Sequence, residues 1–291
     1  GADVTVATTE VDESAAFQFG IMKVDEGGRV TGFEEKPETL RSLPLSNRTL
    51  SANMGIYIFN SDTLRESLEE DAHIESQHDF GKDIIPEIIH TSNVYAYNFK
   101  DENKKESKYW RDVGTIDAYF EANMDLVAPE PEFNLYNGGW PIRTYQGQYP
   151  PAKTVFAEEY AGGRLGVCLD SIVSGGCIIS GGRVQSSILS PQVRVNSYSE
   201  VEESVLMEDV EVGRYCRIKR AIIDKGVKIP PGTEIGYDLE EDKERFFVTS
   251  SGVTVIAKKK EILPPKPKTR RQQRSIYYGS PQRVADYMLT E

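Results

Sequence analysis

The chain is poor in the residues that do the commonest protein chemistry. It has three histidines, His73, His78 and His90, and all lie in its first third. Its three cysteines, Cys168, Cys177 and Cys216, are far apart with no Cys-x-x-Cys spacing, which points away from a disulfide framework or a zinc site and toward a reducing compartment. No apolar run approaches the roughly 18 residues that a membrane span needs. The opening GADVTVATTE lacks the charged-then-apolar layout of a signal peptide. A soluble, cytoplasmic protein is the expectation. Positive charge is short as well: 34 Lys and Arg against 46 Asp and Glu leave a net charge of -12, which argues against a surface built for nucleic-acid phosphates. The exception is local. Between 258 and 274 stand Lys258, Lys259, Lys260, Lys266, Lys268, Arg270, Arg271 and Arg274 against one acid, Glu261.

What is there supports a real core, with 38% hydrophobic residues over 291 positions, and two domains are expected because the sequence changes character near residue 165. The alternation in VTVATTEV reads as a strand. FGIMKVDEGGRVTGFEEKP reads as two strands, Ile21 to Val24 and Val30 to Phe33, around a turn at DEGG. In SANMGIYIFN the run Ile56, Tyr57, Ile58 and Phe59 is suited to burial on both faces of a sheet. A helix follows, with Ser61 as its N-cap and Leu64 and Leu68 on its apolar face; DFGKDIIPEIIH is a second helix candidate and VYAYNF a strand. Strands and helices alternating in this way predict an α/β layout with a mixed sheet. Farther on, Thr115 can cap a helix with Ile116, Tyr119, Phe120 and Met124 on its apolar stripe. The Pro- and Gly-rich residues 127–163 read as a connection between domains.

Beyond it the chain repeats. SILSPQVRVNSYSEVEE, SVLMEDVEVGRYCRIKR and AIIDKGVKIPPGTEIGY align at a 17-residue period without a gap. Ile188, Val205 and Ile222 coincide, as do Val193, Val210 and Val227, then Val195, Val212 and Ile229, then Val201, Ile218 and Ile235. An earlier block, 171–186, is one residue shorter and carries Ile172 and Ile178. So short a period, with β-branched residues and turns in each unit, predicts a three-faced β-helix in which every coil buries its apolar positions against the next. Acyltransferases built on such coils use a histidine base. None occurs in this half, so acyl transfer is not expected and a structural, regulatory or oligomeric role is.

Two short segments of the first half carry candidate chemistry. In FEEKP, Glu35 can accept sugar hydroxyl protons and Lys36 can meet a phosphate, with Pro37 expected to keep Lys36 extended; the same segment also reads as an ordinary solvated turn. In KYWRDVGT, Asp112 lies just ahead of a helix start beside Trp110, and it reads as a helix-entry acid, a metal ligand or a substrate contact.

The order FGIM, EEKP, MGIYIF, HDFGKDIIP, YWRDVGT, WPIRTY, PPAK, SIVSGGCIISGG and VRVNS closely resembles the glucose-1-phosphate adenylyltransferases over residues 1 to about 260. The resemblance implies a partial Rossmann-like nucleotidyltransferase domain, the sugar-phosphate half, over 1–126. A linker over 127–163, a left-handed parallel β-helix over 164–260 and a basic, partly disordered tail over 261–291 would follow. It implies formation of ADP-glucose and pyrophosphate from ATP and glucose 1-phosphate in glycogen or starch synthesis, by a cytoplasmic homotetramer. By the resemblance, Gly20, Glu35 and Lys36 contact the glucosyl phosphate, while Tyr57, Asp79, Phe80 and Trp110 complete the sugar pocket. Asp112 is then one of two aspartates that hold Mg2+. Lys225 and Lys258 match basic positions that bind an anionic metabolite effector.

This sequence departs from that pattern in two places. Asn53 stands where the family has serine, which predicts altered sugar contacts. The family's Gly-rich nucleotide loop and its GDH-type turn are not found in these residues, so the chain alone is expected not to bind ATP productively. An alternative is a non-catalytic regulatory or oligomerisation subunit of such an enzyme. A nucleotidyltransferase for another base or sugar fits WPIRTY and SIVSGGCIISGG less well.

Overall fold

A computed structural model describes residues 1–13, 16–37, 49–100, 109–139, 141–158, 160, 163–258 and 262–263. The basic tail read over 261–291 lies outside the described residues except for 262 and 263. The chain divides into two compact units, 1–112 and 113–291.

Unit 1 is built on a five-stranded mixed sheet of order β3-β2-β4-β1-β5. Its strands are β1 (Val4–Asp12), β2 (Gly20–Val24), β3 (Val30–Glu35), β4 (Thr49–Phe59) and β5 (Val94–Asn98). Only the β1–β5 pair is parallel; the β2–β3 hairpin, the β2–β4 pair and the β1–β4 pair are antiparallel. Alternation along the strands sends Val4, Val6, Met22, Val30 and Val94 to one face, where they pack against Ile84, Ile85, Ile88 and Ile89. Those isoleucines come from DFGKDIIPEII. It folds as a π-helical turn, Phe80–Ile84, running into a short helix α2 (Ile85–Ile88).

Two details of β4 and the helix after it differ from the sequence reading. Tyr57 and Phe59 face the core, but Ile56 and Ile58 are 51% and 71% exposed, so the strand is not buried on both faces. The opposite face has its own cluster, Ala16, Ile21, Leu50 and Ala52, which lies toward the other end of β4. Helix α1 (Ser61–Asp71) is capped by Asn60, whose side chain accepts from the Asp62 N–H at 3.2 Å, and Ser61 is its first residue. Its buried residues are the polar Ser67 and Asp71, while Leu68 is exposed.

Unit 2 begins with helix α3 (Ile116–Leu126), capped by Thr115 as its sequence predicts: the hydroxyl accepts from Ala118 N–H at 3.1 Å. Phe120 buries its ring against Val205, Ile222 and Val253, so α3 packs on the repeat region. The repeats form three sheets. One stacks Val167–Leu169, Arg183–Gln185, Glu200–Glu202, Arg217–Lys219 and Glu234–Ile235. A second stacks Ile172–Val173, Ile188–Leu189, Val205–Leu206, Ala221–Ile223 and Thr254–Ile256, with Phe247–Val248 added antiparallel at the end. The third stacks Lys153–Val155, Ile178–Ser180, Arg194–Val195, Glu211–Val212 and Lys228–Ile229. Its first strand lies within the stretch read from sequence as connection.

Three of the four predicted columns are paired across strands: Ile188 with Val205 and Val205 with Ile222, Val195 with Val212 and Val212 with Ile229, Val201 with Ile218 and Ile218 with Ile235; the fourth, Val193, Val210 and Val227, is buried just ahead of the third sheet's strands. The stack buries these residues almost completely, with Val195, Val212, Ile218 and Ile235 all at 0% exposure. In the shorter block the inward residues are Cys177 and Ile179, and Ile178 is only half-buried. A short helix α4 (Leu239–Arg245) follows the last coil. Its buried Asp242 accepts from the Gly236 N–H at 2.6 Å and from the Arg245 guanidinium at 2.9 Å.

Candidate functional site

The antiparallel register of β2 and β3 sets Gly20 directly opposite Glu35. The approach is close enough that a Cβ on Gly20 would lie 2.6 Å from Glu35 Oε2 and 2.4 Å from Phe33 Cζ. Gly81, in the π-helical turn, borders the same carboxylate, since a Cβ there would be 3.2 Å from Glu35 Oε2 and 3.3 Å from Asp79 Oδ1. A hairpin end and a helical turn far apart in sequence thus converge on two carboxylates, Glu35 and Asp79. Two side-chain-free positions leave the space beside them open.

Asp79 caps that turn. Its Oδ1 accepts from the N–H groups of Gly81 at 2.8 Å and Lys82 at 3.0 Å, and its own N–H donates to Asp83 Oδ2 at 3.0 Å. One carboxylate oxygen is thereby used to hold the backbone, and among the described residues Oδ2 has no hydrogen-bond partner. Phe80 stacks on Tyr57 with ring centroids 5.5 Å apart, and Phe59 closes against both rings. Asn53 donates from Nδ2 to Tyr57 Oη at 2.7 Å while its Oδ1 accepts from the Gly55 N–H at 2.9 Å. Burial pushes the Tyr57 phenol above its usual range; the Asn53 bond opposes this, and the charges of Asp79 and Glu35 add to it. Both carboxylates therefore act on the Tyr57 phenol. Seven of the sequence-predicted positions border one another here or are tied together: Gly20, Glu35, Asn53, Tyr57, Asp79, Phe80 and, through the ring of Phe19 at 5.7 Å, Trp110.

Lys36 follows Glu35, and its N–H continues the hairpin ladder by donating to Phe19 C=O at 3.0 Å. It is not extended. Its φ is +46°, a left-handed conformation that a residue before proline ordinarily avoids, and here it coincides with an exposed Lys36 next to a buried Pro37. Backbone strain of this kind collects at functional positions.

Asp112, the last residue of unit 1, is exposed, and among the described residues no hydrogen bond or ion pair links it to Glu35 or Lys36. Nor do the described residues bring together three His, Cys, Asp or Glu side chains able to hold a metal. One carboxylate suits magnesium only as a lone protein oxygen beside phosphate oxygens, which is a common way for that ion to be bound.

In unit 2, coil stacking brings the two predicted effector lysines side by side. Ile223 pairs with Ile256 across parallel strands, and the chain positions two beyond them are Lys225 and Lys258. The Asp224 carboxylate clasps both: Oδ1 accepts from the Lys225 N–H at 2.7 Å and Oδ2 from the Lys258 N–H at 3.0 Å.

Three residues were missed by sequence reasoning. His78 and Asp71 form a 2.6 Å contact behind Asp79, and Asp224 sits beneath the lysine pair. HDFG contained His78, SLEED contained Asp71 and IIDKG contained Asp224, but only the fold shows what they touch. Among the described residues, no helix is long and apolar enough to cross a membrane.

Comparison with known proteins agrees with both units. Residues 1–128 match the nucleotidyl transferase family model, and residues 150–256 match the GlmU-like C-terminal hexapeptide model, which makes the repeat region a left-handed β-helix. Glucose-1-phosphate adenylyltransferase of Koribacter versatilis is 56% identical over 89% of this chain and 62% of its own length. The enzymes of the same name from Rhodopirellula baltica and Saccharophagus degradans are 53% and 52% identical over 91% and 92% of this chain, and it covers 60% and 62% of them. The chain thus spans about three fifths of the length of these curated relatives.

Proposed function

Because the chain belongs to the glucose-1-phosphate adenylyltransferase family, we propose that unit 1 binds glucose 1-phosphate for the transfer that yields ADP-glucose and pyrophosphate from ATP. The observation that carries this reading is the convergence of Glu35 and Asp79 beside Gly20 and Gly81, walled by Tyr57 and Phe80. A hexose needs such a mixture: acceptors for its hydroxyl protons, and flat apolar surface for its ring faces.

Each residue then has a role of its own. Glu35 and Asp79 Oδ2 accept hydroxyl protons. Tyr57 Oη already accepts from Asn53, so its own proton is free to donate to a sugar oxygen. Gly20 and Gly81 leave the room that a side chain would fill. Trp110, beside Phe19, walls the pocket near Gly20. The exposed Lys36 ammonium meets the phosphate and lowers the cost of bringing that dianion toward a triphosphate. Binding holds the phosphate oxygen in line with the α-phosphorus of ATP, so positioning and charge neutralisation contribute most of the rate. Asp112 would hold magnesium, which supplies charge neutralisation at the phosphates when bound. Membership also supports a cytoplasmic homotetramer in glycogen or starch synthesis, regulated by an anionic metabolite at Lys225 and Lys258.

Calorimetric titration of the chain with glucose 1-phosphate tests the reading. Binding that is lost in Glu35→Ala and Asp79→Ala is expected; no binding by the wild-type chain, or equal binding of glucose 6-phosphate, would sink it. Where ATP and magnesium give pyrophosphate release, Asp112→Ala should abolish it, and unchanged turnover would remove the metal role.

A further inference from the structure

In unit 1, among the described residues, two residues other than glycine have a left-handed backbone, Lys36 at φ +46° and His78 at φ +56°. Each adjoins a pocket carboxylate in sequence, Glu35 in one case and Asp79 in the other. Glycine adopts such a conformation without strain, so a histidine kept there needs a reason in its side chain.

The reason is a clamp. His78 Nδ1 lies 2.6 Å from Asp71 Oδ2, and Ser76 Oγ donates to Asp71 Oδ1 at 2.7 Å. A carboxylate only accepts, so Nδ1 carries the proton. The same Ser76 oxygen accepts the His78 backbone N–H at 3.0 Å, which closes a ring of bonds over 71–78. Asp71 is the last residue of α1 and only 7% exposed, so the anchor is a fixed one. Beyond the clamp the chain passes at once into Asp79, whose Oδ1 is committed to Gly81 and Lys82.

We propose that His78 is a positioning residue for the sugar-phosphate pocket: clamped to Asp71, it fixes the left-handed turn that aims the free Oδ2 of Asp79 and presents Gly81 to Glu35. The proposal rests on the glucose 1-phosphate reading for its consequence in binding, but the clamp itself does not. His78 touches no substrate; it acts through Asp79.

Two substitutions separate the clamp from the turn. His78→Gly keeps the left-handed backbone and deletes the clamp. His78→Asn tolerates that backbone and offers a donor close to where Nδ1 lies. Thermal unfolding confirms that both variants are folded before they are compared. The expected result is that His78→Gly weakens glucose 1-phosphate binding about tenfold, the scale of one lost hydrogen bond to a charged group, while His78→Asn stays within about threefold of wild type. Amide exchange at Gly81 and Lys82 should quicken in His78→Gly and return toward wild type in His78→Asn. Unchanged affinity and unchanged exchange in His78→Gly overturn the proposal. If the wild-type chain fails to bind glucose 1-phosphate, the functional reading falls and the exchange measurement alone decides the clamp.

Discussion

Gly20 has no room for even a methyl group, because Phe33 and Glu35 occupy the place where its Cβ would stand. Its backbone is ordinary strand, so steric space and not conformation demands glycine here. Gly20→Ala must therefore push the Glu35 carboxylate or the Phe33 ring aside. The expected outcome is about a tenfold or greater loss of glucose 1-phosphate affinity in the titration, with about 1–3 kcal/mol of destabilisation by overpacking. Wild-type affinity would show that Glu35 does not line the pocket. At this scale the sequence was informative about chemistry and poor on conformation. Glu35, Asp79, Tyr57 and Phe80 were identified from a family resemblance and do converge. The left-handed Lys36 was not foreseen, because the general rule for a residue before proline points the other way and the Phe19 bond that competes with it is a tertiary fact.

Periodicity decided which elements could be read. In the β-helix one 17-residue period is imposed on every coil, so four apolar columns were visible without any structure, and each is a paired or buried set. A polar column runs beside them and went unread. Ser171, Ser187 and Ser204 each donate to a carbonyl two residues back and accept an N–H from the next coil, until Ala221 ends the ladder. The ladder follows left-handed corners at Asp170, Ser186, Glu203 and Arg220 and satisfies backbone groups there that the sheets leave over. Helix α1 was harder to read for the opposite reason. Its inner face is the polar pair Ser67 and Asp71, so a hydrophobic stripe misplaces its orientation. The His78 imidazole first, then the Ser76 hydroxyl, hold the Asp71 carboxyl below the usual carboxylate range. A carboxyl depressed on folding stabilises above its unfolded pKa of about 3.9, and the contribution disappears as pH falls through the lowered value. Asp71→Asn should accordingly lower the denaturation midpoint of unit 1 near neutral pH, and the gap from wild type should close below about pH 4. A gap that stays constant from pH 7 to pH 3 would mean that the ionised form of Asp71 contributes nothing.

Over the whole molecule, a net charge of -12 repels small anions, so an anionic metabolite needs a place where local charge outweighs the average. The proposed place is the one that coil stacking builds at Lys225 and Lys258. Lys225 and Lys258 are distant in sequence, yet neighbouring parallel strands deliver them to adjacent positions, and Asp224 spends its carboxylate on their backbone N–H groups. Both lysines are exposed, and Asp224 engages their backbones and not their ammonium groups. A resemblance could name the two lysines, but composition and spacing could not join them, because the pairing depends on a final strand, Thr254–Ile256, that lies outside the 17-residue register. A sugar bisphosphate suits the pair as a probe, with two charged ends for two cations. In Lys225→Ala/Lys258→Ala its affinity for the chain should fall about tenfold or more, since each lost cation removes on the order of 1 kcal/mol at such an exposed site. Raising the salt should weaken binding to the wild-type chain, and to the double variant much less. Equal affinity in both proteins would rule out the lysine pair as an effector site and leave the Asp224 clasp as a purely structural tie between the strands Ala221–Ile223 and Thr254–Ile256.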